Sequence, residues 1–237
     1  MFKKFVRNVV KVVYHAMQKT SIGRVIEEEF EMFAYSGTGS RHFEYPFAIS
    51  EVLKKKSKIK TILDAGSYGS LLPLILASMG FKVTGADINF WEVKFPNFSA
   101  AKVDLKKIQY KTRSFDCVTA VSTIEHVGLP RFREEIDENG DIDAMTELVR
   151  VLKKGGPLVL TVPYAPKYRV WSNKGRFYDS KRLALLTEGI KITKKEFFGP
   201  LGSGGHNFGS WTEKQANTKK FKREGDHCVV CLVGVKI

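Results

Sequence analysis

Three cysteines in 237 residues do not make a disulfide framework, so the expected setting is a reducing cytoplasm. No apolar run approaches the roughly 18 to 20 residues that a membrane-crossing helix needs. Internal repeats and low-complexity tracts are missing too. The first 17 residues lack acidic side chains while carrying Lys3, Lys4, Arg7 and Lys11. Arg7 and Lys11 interrupt any apolar core of a secretory signal, and no small-residue cleavage site follows.

A hydrophobic content of 43% supports an ordinary core, and the length suits one α/β domain with decorations. The chain divides into a basic amphipathic segment over residues 1–20 and a single domain over 21–237. In the first segment Phe2, Phe5, Val6, Val9, Val10, Val13 and Met17 recur at helical spacing. Three readings stay open for it: peripheral contact with an anionic membrane through residues 1–17, a partner-binding helix, or a helix packed on its own domain. Its β-branched residues also allow a strand. The formal charge of +14 attracts phosphates, anionic headgroups or acidic partners without choosing among them, and a solvated surface explains the basic runs equally well. Nucleic acid is the less favoured partner, because aromatics are not interleaved with those runs.

Thr61–Ala65, a Gly66–Gly69 turn, an apolar helical run to Gly80 and a second strand over Lys82–Asp87 follow one another directly. A buried strand delivers Asp64 to the sheet edge. Gly66 and Gly69 remove side chains where a ligand meets backbone, and the helix from about Ser70 aims its N–H groups at the same space. Asp87 follows Gly66 by 21 residues, where a carboxylate accepts hydrogen bonds from ribose hydroxyls. A dinucleotide fingerprint would place glycine where Tyr68 and Leu71 stand. Without those two glycines a pyrophosphate is poorly accommodated, whereas the amino-acid carboxylate of S-adenosylmethionine asks less of the turn.

Downstream, Phe98–Asp104 and Phe115–Val121 read as strands, Asp141–Leu152 as an amphipathic helix closed by Lys153-Lys154-Gly155-Gly156, and Pro157–Val162 as a fifth strand. A helix over Ser180–Glu188 and strands over Ile190–Phe198 and Cys228–Ile237 complete the pattern. A helix over Pro46–Lys55 precedes it, with Pro46 in the first turn; Arg41, Glu44 and Tyr45 ahead of it either line a site or pack at its rim. Gly202–Ser210 reads as a loop. The implied architecture is a mostly parallel twisted sheet with helices on both faces and a C-terminal antiparallel hairpin. Cys228 and Cys231 lie three apart in a strand and so face opposite sides, which fits two core cysteines rather than a metal or redox pair; no metal site is expected.

The glycine turn, Ser122-Thr123-Ile124-Glu125-His126-Val127-Gly128 after the fourth strand, and Arg150-Val151-Leu152-Lys153-Lys154-Gly155-Gly156 span about residues 60 to 163. Together they resemble the class I S-adenosylmethionine-dependent methyltransferase superfamily. The Ser122–Gly128 run, a following arginine and Gly140-Asp141 resemble a branch linked with bacterial and archaeal surface-glycan synthesis. Tyr68 departs from the superfamily's acidic-x-Gly-x-Gly turn. The resemblance implies a Rossmann-like fold, S-adenosylmethionine as cofactor, and methyl transfer to a sugar hydroxyl, a lipid-linked glycan or another small-molecule acceptor. By position, Asp64, Gly66, Ser67 and Gly69 shape the turn at the cofactor's amino-acid end, Asp87 holds the ribose, Asp104 faces the adenine amino group, and Ser122 and Thr123 sit at the sheet's carboxyl edge.

Glu125 and His126 are the candidates for chemistry. A histidine suits removal of a hydroxyl proton, and it serves equally to fix the loop through backbone hydrogen bonds. Arg131, Asp141, Arg176, Tyr178 and His206 are candidates for the acceptor rim. An RNA or small-metabolite methyltransferase and a non-catalytic cofactor-binding subunit remain alternative readings.

Overall fold

The computed structural model describes residues 40–130, 136–171, 175–201, 208–221 and 227–237. The basic segment at 1–20 and the candidates Arg131 and His206 lie outside them. In chain order the helices are α1 (Arg41–Leu53), α2 (Leu72–Ser78), α3 (Gly140–Val151), α4 (Ser180–Leu186) and α5 (Glu213–Thr218). The strands are β1 (Thr61–Ala65), β2 (Lys82–Asp87), β3 (Phe98–Lys102), β4 (Cys117–Val121), β5 (Pro157–Tyr164), β6 (Arg169–Trp171), β7 (Gly175–Phe177), β8 (Ile190–Pro200), β9 (Phe208–Trp211) and β10 (Cys228–Lys236).

Eight strands form one sheet in the order β3-β2-β1-β4-β5-β10-β8-β9. The first five are parallel, and β10 runs antiparallel between β5 and β8. Side-chain alternation sorts the core into two layers. Leu63, Val118, Leu160 and Leu232 meet Met145 and Leu148 of α3 on one face. Ile62, Cys117, Val159 and Val233 meet Val52 of α1 and Leu76 of α2 on the other. Cys228 and Cys231 belong to opposite layers, both buried.

Several boundaries differ from those expected. α1 begins at Arg41, so Pro46 lies inside the helix rather than in its first turn. Its early turns are held by burial of Glu44 and Tyr45, a tertiary force that local proline preference does not register. The glycine turn runs further than expected, so α2 starts at Leu72 with Pro73 in its first turn. The third strand stops at Lys102, leaving Asp104 in the following loop. Phe208–Ser210, expected in a loop, pair in β9 with β8. The hairpin β6–β7 and the helix α5 have no signal in the sequence pattern, because their segments are three to six residues long, too short to show a period.

Asp64 does not reach the sheet edge. It is buried within β1, where Thr119 of β4 donates its hydroxyl to Oδ1 at 2.5 Å. Burial pushes its carboxyl up to about 7, against the Thr119 bond and the more distant Arg41, which both favour the anion. The folded protein therefore keeps a proton that the unfolded chain releases near the ordinary value of 3.8. The group's contribution to stability is complete below that value and is lost as pH rises towards 7. Asp64→Asn is expected to remove this dependence, so that from pH 4 to pH 8 the variant gains on the order of 4 kcal/mol relative to the parent. Urea midpoints across that range would check it; a constant difference would contradict it.

Candidate active site

The strand order reverses between β1 and β4, where the chain leaves the sheet in opposite directions and opens a crevice at the carboxyl ends. A cavity of about 260 Å³ occupies it. Its floor is Gly66 after β1 with Ser122 and Thr123 after β4; one wall is Asp87, Ile88 and Asn89 after β2; another is Val103, Asp104 and Leu105 after β3. Arg41, Tyr68, His126 and Val127 complete the lining.

Gly66 is the tightest point. Its φ is +78°, and a Cβ built there would lie 2.1 Å from Thr123 Oγ1. The Thr123 hydroxyl lies 3.0 Å from the Ala65 carbonyl oxygen, which accepts its proton, so the β1 and β4 exits are packed together with no room for a side chain between them. Gly69, φ +68°, supplies the second left-handed step of the turn. Tyr68 stands where the superfamily pattern has its second glycine, and its side chain points outward, 55% exposed at the rim.

Asp87 is half-buried, and burial raises its carboxyl pKa. The backbone N–H groups of Tyr68 (3.2 Å) and Asn89 (2.8 Å) each donate to one of its oxygens and act the other way. The Ile88 N–H also favours the anion; a carboxylate has about four acceptor directions, so Asp87 keeps capacity for a further donor. Asp104 is similarly half-buried and takes the Lys106 N–H at 2.8 Å. Ile88, Val103, Leu105 and Val127 give the space between these carboxylates apolar walls.

The β4 exit is fixed by a residue from far away in sequence. Glu44 of α1 is fully buried and accepts the hydroxyls of Ser122 (2.5 Å) and Thr161 (2.6 Å). Ser122 adopts φ +46°, and its N–H donates to the Thr161 carbonyl. Arg41, one turn earlier on α1, donates to the Val121 carbonyl at 3.0 Å and brings its cation to the cavity.

His126 follows on a single 3-10 turn, Ile124–His126. Its Nε2 lies 3.7 Å from Glu125 Oε1, with Glu125 buried behind it. The loop is backed by Arg176 of β7, which has no exposed surface. Its guanidinium donates to the carbonyls of Val127 (2.5 Å) and Asp137 (2.6 Å), and Nε lies 3.6 Å from Asp141. Asp141 is buried as well and accepts from Arg182 and from the Tyr178 hydroxyl.

Of the residues expected from sequence, Gly66, Asp87, Asp104, Ser122, Thr123 and His126 are brought to one cavity. Asp64, Ser67, Gly69 and Glu125 do not line it. Ser67 is buried beneath the turn beside Gly85, and its hydroxyl has no hydrogen-bond partner among the described residues. Asp141, Arg176 and Tyr178, expected at the acceptor rim, are instead a buried cluster behind the His126 loop. Arg41 both lines the cavity and packs at its rim through the Val121 carbonyl and Glu44.

The family model described as "Caenorhabditis protein of unknown function, DUF268" matches residues 92–201. The ubiquinone biosynthesis O-methyltransferase of Paramagnetospirillum magneticum is 33% identical over 96 residues, 37% of this chain and 38% of that relative. The match thus spans well under half of the curated relative's length. Among solved structures, the 1,6-didemethyltoxoflavin-N1-methyltransferase of Burkholderia thailandensis, with 1,6-didemethyltoxoflavin and S-adenosylhomocysteine bound, aligns at TM-score 0.55 and 14% identity, covering 90% of this chain and 88% of that one. The fold is that of the class I S-adenosylmethionine-dependent methyltransferases. The cyclase SpnF shares that methyltransferase fold, at TM-score 0.56 and 17% identity over 79% of each chain. Fold alone therefore does not name the reaction.

Among the described residues no helix is long and apolar enough to cross a membrane.

Proposed function

We propose that this chain binds S-adenosylmethionine in the crevice at the β1/β4 switch point and transfers its methyl group to a hydroxyl of a sugar, glycan or other small-molecule acceptor. The observation that carries the reading is the convergence of Gly66, Asp87, Asp104 and His126 on one cavity from four separate strand ends.

The residues fit the cofactor's chemistry part by part. Asp87, with acceptor capacity left after its backbone bonds, suits a ribose hydroxyl. Asp104 suits the adenine amino group, and the apolar residues between the two carboxylates suit the ring faces. Arg41 supplies the cation for the amino-acid carboxylate, in a turn that lacks the family's second glycine. The cofactor would supply an electrophilic methyl carbon on a sulfonium, to which an in-line nucleophile bonds as the carbon–sulfur bond breaks and the neutral thioether leaves. The protein's part is to hold the acceptor in line and to remove its proton. His126 takes that proton, and the buried Glu125 carboxylate beside it stabilises the imidazolium that results. The O-methyltransferase name of the curated relative supports a hydroxyl acceptor.

Asp87→Ala is expected to weaken S-adenosylhomocysteine binding about ten- to a hundredfold, since a charge-assisted bond is worth roughly 1.5 to 3 kcal/mol. Calorimetry on parent and variant measures this directly. The acceptor class is tested by methyl transfer to sugar nucleotides, extracted lipid-linked glycans, small phenols and RNA. Product from RNA alone would replace the small-molecule reading.

A further inference from the structure

The amino edge of the sheet, opposite the cavity, is built as a second charged surface. α1 and α3 end there, β1, β2, β4 and β5 begin there, and β10, running the other way, finishes there. This topology gathers lysines from segments far apart in sequence. Lys54, Lys55, Lys58, Lys153 and Lys154 line a cavity of about 400 Å³ together with Gly155 and Gly156.

Compensation is thin. Asp116 is the acid in the lining, and it is committed: Lys153 Nζ lies 2.7 Å away, and the N–H groups of Lys60 and Thr61 both donate to it. These bonds outweigh burial and hold its carboxyl down at about 2. Lys54 pairs with Glu51 at the outer margin. Lys58 and Lys154 are exposed and Lys55 half-buried, and none of the three has a carboxylate partner among the described residues. At the same rim burial lowers the Lys236 pKa, helped by the neighbouring cations Arg113 and Arg150. Lysines at the ends of α1 and α3 complement the helix dipoles, but that effect falls off within one turn and does not call for five cations around one hollow.

The character of the charges selects the partner. Among the described residues every cation lining the hollow itself is a lysine, the rim guanidinium of Arg150 is committed to Glu147, and no aromatic face for a base lines it. Ammonium groups on long aliphatic stems suit a field of headgroup phosphates, and Leu53, 38% exposed, adjoins them. Strands of five to eight residues place this edge about 17 to 26 Å from the cofactor cavity, so the charge cannot be positioning an acceptor there. We propose that the amino edge of the sheet docks on an anionic lipid surface through Lys55, Lys58 and Lys154, leaving the cofactor cavity facing away from it. This depends neither on the methyl-transfer reading nor on residues 1–17.

Sedimentation of the full chain with vesicles of phosphatidylcholine and phosphatidylserine tests it. The triple variant Lys55→Gln, Lys58→Gln, Lys154→Gln is expected to bind about a hundredfold more weakly, at about fivefold per lysine, with an unchanged melting temperature. A matched triple, Lys181→Gln, Lys214→Gln, Lys220→Gln, removes the same charge elsewhere and is expected to change binding only a few-fold. Added salt is expected to release the parent protein. Equal losses in the two triples, no vesicle binding by the parent at low salt, or a loss confined to polyuridylate RNA would each overturn the proposal.

Discussion

Replacing Arg176 by methionine is expected to destabilise the protein by about 3 to 5 kcal/mol, the cost of breaking a buried ion pair from one side. The guanidinium, itself without exposed surface, serves two carbonyls and faces the buried Asp141. Methionine fills much of the volume but donates nothing, so the carbonyls of Val127 and Asp137 lose those bonds. For a chain of this size the loss corresponds to roughly 6 to 20 °C in melting temperature. Arg182→Met gives the comparison. Arg182 pairs with the same Asp141 but is partly exposed, and its removal leaves Arg176 and Tyr178 in place, so less than half the effect is expected. Equal losses would mean that Asp141, rather than the two loop carbonyls, is what Arg176 serves.

The second large effect is on rate. If the acceptor is a hydroxyl, His126→Ala is expected to lower methyl transfer by about 10² to 10⁴, the usual contribution of a positioned general base. Cofactor affinity should stay within a few-fold, because Asp87, Asp104 and Arg41 are untouched. Unchanged turnover would assign His126 to loop structure and leave positioning as the main catalytic contribution. Glu125→Gln separates the two roles further: it keeps the shape but removes the charge 3.7 Å from Nε2, so turnover should fall while the melting temperature holds.

The parts of this arrangement legible in the sequence are those written locally. Thr61–Asp87 shows a strand, a glycine turn, a helix and a second strand because each has its own period and punctuation, and the carboxyl-edge residues follow by position. Arg176 marks where local reading stops. An arginine between Gly175 and Phe177 reads as a candidate for the acceptor rim, and its complete burial depends on Asp141 and on carbonyls 39 and 49 positions away. Glu44 is similar: its partners Ser122 and Thr161 lie 78 and 117 residues downstream, and no local spacing announces them. Asp64 looked like a ligand-facing carboxylate because it is near the end of its strand, yet the pleat turns it towards Thr119. The amino-edge lysines were visible as separate runs; only the strand order brings them together.

Calorimetric titration of the full chain with S-adenosylhomocysteine and with NADH decides whether the crevice between the β1 and β4 exits is an S-adenosylmethionine site. Saturable one-site binding of S-adenosylhomocysteine that Asp87→Ala weakens is expected, with no comparable binding of NADH. Tight NADH binding with no response to S-adenosylhomocysteine would contradict it.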